Sequence, residues 1–91
     1  MVTAIVLLQV ERESINAVAE ALSAIDGVAE VYSVSGPHDL VAMLRVKDND
    51  DLADLVTNKM LKVKGIIRTE TLIAFRAYSR HDLDAMFSLG L

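Results

Sequence analysis

At 91 residues, with 53% hydrophobic and 24% charged side chains, the chain has room for one domain and little more. The absence of cysteine excludes disulfide staples, thiol catalysis and thiolate-held zinc, and it agrees with a reducing, cytoplasmic setting. The formal charge of -4 and the scatter of the nine basic residues make a poor footprint for nucleic acid; the loose group Lys59, Lys62, Lys64 and Arg68 reads as a solvated helix end.

Val2 to Val10 is rich in Val, Ile and Leu, too short and too β-branched for a helix, and is expected to be a strand. It has no basic flank and runs into Glu11-Arg12-Glu13, so it does not read as a signal peptide. No apolar run approaches the roughly 20 residues that a membrane-spanning helix requires, so no membrane partner is expected. Ser14 is a candidate N-cap, after which Ile15, Val18, Ala19, Leu22 and Ile25 recur at helical spacing until Gly27 as the C′ stop.

Val28 to Val34 follows as a second strand, with Val28, Glu30, Tyr32 and Val34 alternating against Ala29, Val31 and Ser33. Ser35-Gly36-Pro37-His38-Asp39 is a turn: Gly36 tolerates positive φ, Pro37 fixes its own, and Asp39 accepts hydrogen bonds from nearby backbone. Leu40 to Val46 is the third strand, closed by the polar run Lys47 to Asp51, which caps a second helix. Leu52, Leu55, Val56, Met60 and Val63 form that helix's apolar stripe, its acidic start and basic end suit the helix dipole, and Gly65 ends it. Ile66 to Tyr78 is expected to be a long last strand. Ser79-Arg80-His81-Asp82 then has the form of a capping box for a short helical tail over 79–91.

Laid on the first half with an offset of about 38 residues, the second half matches it: Val18 meets Val56, Leu22 meets Met60, Gly27 meets Gly65 and Val28 meets Ile66. Each half is strand, helix, strand. Two such units imply an α+β, ferredoxin-like βαββαβ domain over residues 1–78, with a four-stranded antiparallel sheet carrying both helices on one face. Strands 1 and 3 are nevertheless apolar on both faces, so the bare face is expected to pack against another subunit, most simply by two-fold symmetry.

Motifs for catalysis are sparse. His38 and His81 lack a metal-ligand spacing, no serine sits in a nucleophile elbow, and no glycine-rich phosphate loop is present, so neither a metal nor another cofactor is expected. In the last strand Thr69 and Thr71 share one face while Arg68, Glu70 and Leu72 share the other. Threonine is an ordinary strand residue, but two hydroxyls beside a turn carboxylate are groups able to hold an amino acid's ammonium and carboxylate.

The segment Ile25-Asp26-Gly27-Val28-Ala29-Glu30-Val31-Tyr32-Ser33-Val34-Ser35-Gly36-Pro37-His38-Asp39-Leu40 resembles the "GV…V…GxxDL" core of the effector-binding, or RAM, domain of the Lrp/AsnC transcription regulators. Gly65-Ile66-Ile67-Arg68-Thr69-Glu70-Thr71-Leu72 is similar to that domain's "GV…T.T" strand. The resemblance covers residues 2 to 78. It implies dimers packed sheet to sheet, assembled into octamer-like rings, with small effectors, often amino acids, bound between dimers. Carried over by position, Gly36, His38 and Asp39 fall in the ligand loop, and Thr69 and Thr71 fall on the strand that completes the pocket. Pro37-His38 stands where the family often has acidic or aromatic residues.

The family's helix-turn-helix is not expected, because strand 1 begins at Val2; DNA binding is therefore not carried over to the chain itself. The expected function is that of a stand-alone effector module, binding an amino-acid-like ligand and tuning full-length regulators by co-assembly. Asp39 would pair with the ligand ammonium, the Gly36 backbone would approach its carboxylate, and Thr69 and Thr71 would supply hydroxyls. Two alternatives are a dimeric α/β-barrel oxygenase or isomerase, needing an enclosed cavity with convergent polar groups, and a pure oligomerisation scaffold.

Overall fold

The computed structural model describes residues 1–78 and 80, so the expected helical tail over 79–91 lies outside the described residues. Four strands, β1 (Val2–Val10), β2 (Val28–Ser33), β3 (Leu40–Val46) and β4 (Ile66–Ile73), form one antiparallel sheet in the order β2-β3-β1-β4. Helix α1 (Ile15–Ser23) connects β1 to β2. A second helical segment, α2, connects β3 to β4: it begins as α-helix over Asn49–Asp54, widens to a π-helical turn over Leu55–Lys59 and tightens to a 3-10 turn over Met60–Lys62. This is the expected ferredoxin-like arrangement, with each βαβ half contributing one central and one edge strand.

Alternation along the central strands decides where the core lies. Ala4, Val6, Leu8 and Val10 of β1 and Leu40, Ala42 and Leu44 of β3 point beneath the helices and are at most 4% exposed. Val18 and Leu22 of α1 and Leu52, Leu55 and Met60 of α2 complete this cluster from above. The intervening residues Ile5, Leu7, Val41 and Met43 stand on the opposite, open face and are only partly buried. The sheet is therefore apolar on both sides but covered on one.

Several element ends differ from those read in the sequence. Helix α1 stops at Ser23, and Gly27 comes later, in the turn before β2. Ser14 occupies the N-cap position but makes no side-chain cap bond; a 3-10 turn over Arg12–Ser14 leads into the helix instead. Asp48 does cap α2, its Oδ1 accepting from the Asp51 backbone N–H at 2.9 Å. A bulge between Val28 and Glu30 breaks the simple alternation of β2: Val28, Val31 and Ser33 pair with the core-facing residues Leu44, Ala42 and Leu40, and Glu30 and Tyr32 turn to the open face.

Strand β4 ends at Ile73 and not at Tyr78, because its partner runs out. Ile73 pairs with Ala4, the Ala74 N–H still reaches the Thr3 carbonyl at 2.9 Å, and β1 begins at Val2. The apolar composition of Ala74 to Tyr78 cannot prolong a ladder that has no neighbour.

The two halves meet through their matched glycines. Gly27 and Gly65 both have φ of +99°. A Cβ on Gly27 would stand 2.9 Å from Leu55 of α2, and one on Gly65 would stand 2.9 Å from Ser14 and 3.0 Å from Val18 beside and on α1. Each half thus carries, in the turn after its helical segment, a glycine that admits the other half's helix.

Candidate functional site

At the C-terminal end of β1 the chain needs an acceptor for the Val10 N–H, since β1 outruns β3 there. The last β1-β3 pair is Leu8 with Leu40, and the β1-β4 register shifts between Gln9 and Val10. Asp39 supplies the acceptor, its Oδ2 lying 3.0 Å from the Val10 nitrogen. The Asp39 N–H donates to the Leu8 carbonyl at 2.9 Å, and its own carbonyl accepts from Val34 at 3.1 Å. Two of these bonds fasten the β2-β3 turn to the end of β1, and the third closes the turn itself.

Gly36 gives that turn its direction, with φ of +109° and nothing within 4 Å of an added Cβ, so backbone conformation alone calls for glycine there. The Pro37 carbonyl accepts from the Gln9 side-chain amide at 3.1 Å. The turn is thereby held against the open face of β1, and β4 runs along the other side of the same strand.

Between turn and strand lies a cavity of about 200 Å³ lined by Leu7, Gln9, Pro37, His38, Arg68, Thr69 and Glu70. Its floor is a tile of two cross-strand pairs, Gln9 with Arg68 and Leu7 with Glu70, whose side chains share the open face. Pro37 and His38 form the wall. Positive, negative, amide, imidazole and aliphatic groups therefore meet around one half-open depression.

The five residues singled out in the sequence are not all brought together. His38 and Thr69 line the cavity, and Gly36 shapes the turn beside it. Asp39 lies behind the wall, its carboxylate engaged with the Val10 N–H. Thr69 pairs with Leu8 and Thr71 with Val6, so both hydroxyls belong to the helix-side face of the sheet, and Thr71 is outside the cavity. Arg68 and Glu70, which the emphasis on threonine passed over, take the cavity face. Their alternation was readable; the register that sets them beside Gln9 and Leu7 was not.

At the far end of the open face Glu30, Tyr32 and Arg45 form a small polar cluster. The Tyr32 hydroxyl donates to Glu30 Oε2, and Arg45 Nη1 lies 3.4 Å from Glu30 Oε1. The Tyr32 hydrogen bond, aided by Arg45, lowers the Glu30 pKa below the usual carboxylate range, and the same bond raises that of Tyr32. A second depression, of about 300 Å³, lies at that end between β3 and α2; Asp26, Arg45, Lys47, Asp51, Asp54 and Lys59 border it, and Lys59 faces Asp54 at 3.9 Å. Among the described residues no three His, Asp or Glu side chains converge as a metal set, and no helix is long and apolar enough to cross a membrane.

Comparison with known proteins agrees with the fold. The family model of the Lrp/AsnC ligand binding domain matches residues 3–83. The crystal structure of TTHA0845 from Thermus thermophilus is 51% identical, superposes with a TM-score of 0.83, and aligns over 88% of this chain and all 100% of that one. A second small protein, PHS023 from Pyrococcus horikoshii, is 33% identical with a TM-score of 0.79 over 89% of this chain and 98% of its own. Among curated relatives, the HTH-type transcriptional regulator LrpA of Pyrococcus abyssi is 39% identical over 56 residues, which are 62% of this chain and 40% of that regulator. The chain thus spans less than half the length of that relative. It belongs to the Lrp/AsnC ligand-binding domain family.

Proposed function

We propose that this chain is an effector-binding module that takes up a small, amino-acid-like molecule in the cavity between the β2-β3 turn and the start of β4. The observation that carries the reading is the meeting of Arg68, Glu70, Gln9 and His38 in a cavity of about 200 Å³, within a domain of a ligand-binding family. Of the residues marked by the sequence, His38 and Thr69 border the ligand, Gly36 and Asp39 hold the wall that meets it, and Thr71 acts through β4. No step of bond making is assigned to the site, and the module works by binding and not by catalysis.

The open sheet face supports self-association. Ile5 lies opposite Met43, Leu7 lies opposite Val41, and Tyr32 and Leu72 are 48% and 45% exposed on the same side. Two-fold packing of this face makes a homodimer, and dimers close into a higher, octamer-like ring. Co-assembly with a full-length Lrp/AsnC-type regulator would carry the effector signal to transcription. The module is assigned to the cytoplasm, with no direct nucleic-acid or membrane contact.

Titrating the twenty L-amino acids into the protein by calorimetry tests the effector claim, with sedimentation for the assembly. At least one amino acid should bind and at least a dimer should sediment. A heat-silent titration for all twenty removes the effector reading, and a monomer at micromolar concentration removes the sheet-to-sheet dimer.

A further inference from the structure

Arg68 and Glu70 are the two charges of opposite sign on the cavity floor, and the described contacts give them no partner. They sit two residues apart on one strand, so their Cα atoms are roughly 7 Å apart and both side chains leave the same face. Among the described residues neither is in an ion pair or a side-chain hydrogen bond, whereas Glu30 with Arg45 and Asp54 with Lys59 are paired. Both line the half-open cavity that Leu7, Pro37 and His38 also border.

We infer that Arg68 and Glu70 are the specificity-determining pair of this site: the Arg68 guanidinium receives the carboxylate of the effector and the Glu70 carboxylate receives its ammonium. The inference rests on the effector-site reading given above and transfers the two charge contacts from the loop to β4. Asp39 is poorly placed for the ammonium, because the Val10 N–H already holds its Oδ2 behind the wall. The planar guanidinium offers two parallel N–H donors to a carboxylate, and Glu70 offers two acceptor oxygens to the three ammonium hydrogens. Leu7, between Glu70 and the turn, and the ring of Pro37 give an aliphatic side chain its apolar surface.

Such a site has a definite ligand class. One positive and one negative group fit a zwitterion that is neutral overall. A 2-oxo acid would leave Glu70 facing an oxygen, and an amino-acid amide would leave Arg68 without an anion, so both are disfavoured.

The test compares wild type, Arg68→Gln and Glu70→Gln by calorimetry and thermal shift on the whole chain. The probes are the twenty L-amino acids and, for whichever binds most tightly, its carboxamide and its 2-oxo acid. Wild type should prefer the amino acid over both analogues by about tenfold or more, the size of one charge-assisted contact. Arg68→Gln should erase the preference over the amide and keep that over the 2-oxo acid; Glu70→Gln should do the reverse. Both residues are exposed, so unliganded melting should not move, and a folded variant is available for the comparison.

If wild type binds an amino acid and both variants keep its full discrimination, the assignment to Arg68 and Glu70 is overturned while the effector reading stands. If wild type binds none of the twenty, the effector reading goes and this pairing with it. If the variants change the sedimenting mass and leave ligand discrimination intact, the pair belongs to a subunit contact and the inference is again overturned.

Discussion

Leu7 and Leu8 are neighbours in β1 and chemically identical, yet Leu8 is fully buried beneath the helices while Leu7 stands partly open beside Glu70. Leu44 and Met43 repeat the contrast in β3. The helix-side face is covered over its two central strands within one chain: the apolar residues of β1 and β3 there are buried, and among the described residues no polar side chain is buried with them. The open face has the same aliphatic content without a cover, with charged residues toward both ends. What differs between the faces is the partner, supplied by the chain's own helices on one side and called for from outside on the other.

The sharpest way to break the contrast is to substitute both members of one pair. Leu44→Ala removes a fully buried side chain and should cost about 2–5 kcal/mol of stability, read by urea unfolding at fixed protein concentration. Met43→Asp, one residue away, should leave the folded protomer intact and weaken self-association by about tenfold or more, read by sedimentation. If Met43→Asp sediments like wild type, the open face is not the dimer surface.

The glycines separate core from site in a second way. Gly65→Ala meets both a positive φ and the Ser14 and Val18 side chains, so it should cost about 2–4 kcal/mol in the same unfolding experiment. Gly36→Ala has the same sign of φ but open space around it, and should cost only about 1–2 kcal/mol while shifting ligand affinity through the turn. Asp39→Ala falls between them. Loss of the acceptor for the Val10 N–H should cost about 1–3 kcal/mol and loosen the cavity wall, and Asp39→Asn, which keeps an acceptor, should recover most of it. Equal losses for Ala and Asn would mean that the carboxylate acts by its charge and not as a backbone acceptor.

The covered face was legible in the sequence because burial there follows local pattern. The aliphatic runs of β1 and β3, the stripe Val18 and Leu22, the Asp48 cap and the 38-residue repeat all report it directly. The ends of elements were less legible: β4 stops at Ile73, opposite Ala4 and short of Tyr78, and α1 stops before Gly27. At the proposed site, the sequence pointed to the turn and to Thr69 and Thr71 of β4, whereas the structure sets Arg68 and Glu70 over the cavity floor. Arg68 and Glu70 are brought to the cavity only by the register that sets them against Gln9 and Leu7, and Asp39 becomes a backbone staple only once β1 is seen to outrun β3. Those are consequences of pairing, which alternation along a single strand does not contain.

The smallest effect is also the one most confined to the open face. Glu30 has its pKa lowered, chiefly by the Tyr32 hydrogen bond and further by Arg45, so the folded state favours its ionised form. A lowered carboxylate contributes stability that is present above its unfolded pKa and lost as pH falls through its folded one. Acid titration should therefore reveal a slight loss of stability below the usual carboxylate range that Glu30→Gln abolishes. Tyr32 has the opposite sign: its raised pKa gives a contribution that is intact below the usual phenol range and lost as pH rises through the folded value, and Tyr32→Phe removes it. Because the cluster is solvent-exposed, salt should shrink both effects in the free protomer. Packing the open face against a second copy would shield the same groups, so the acid-side loss should resist salt in the dimer and yield to it in Met43→Asp. Identical salt sensitivity in the two proteins would place Glu30, Tyr32 and Arg45 outside the subunit contact.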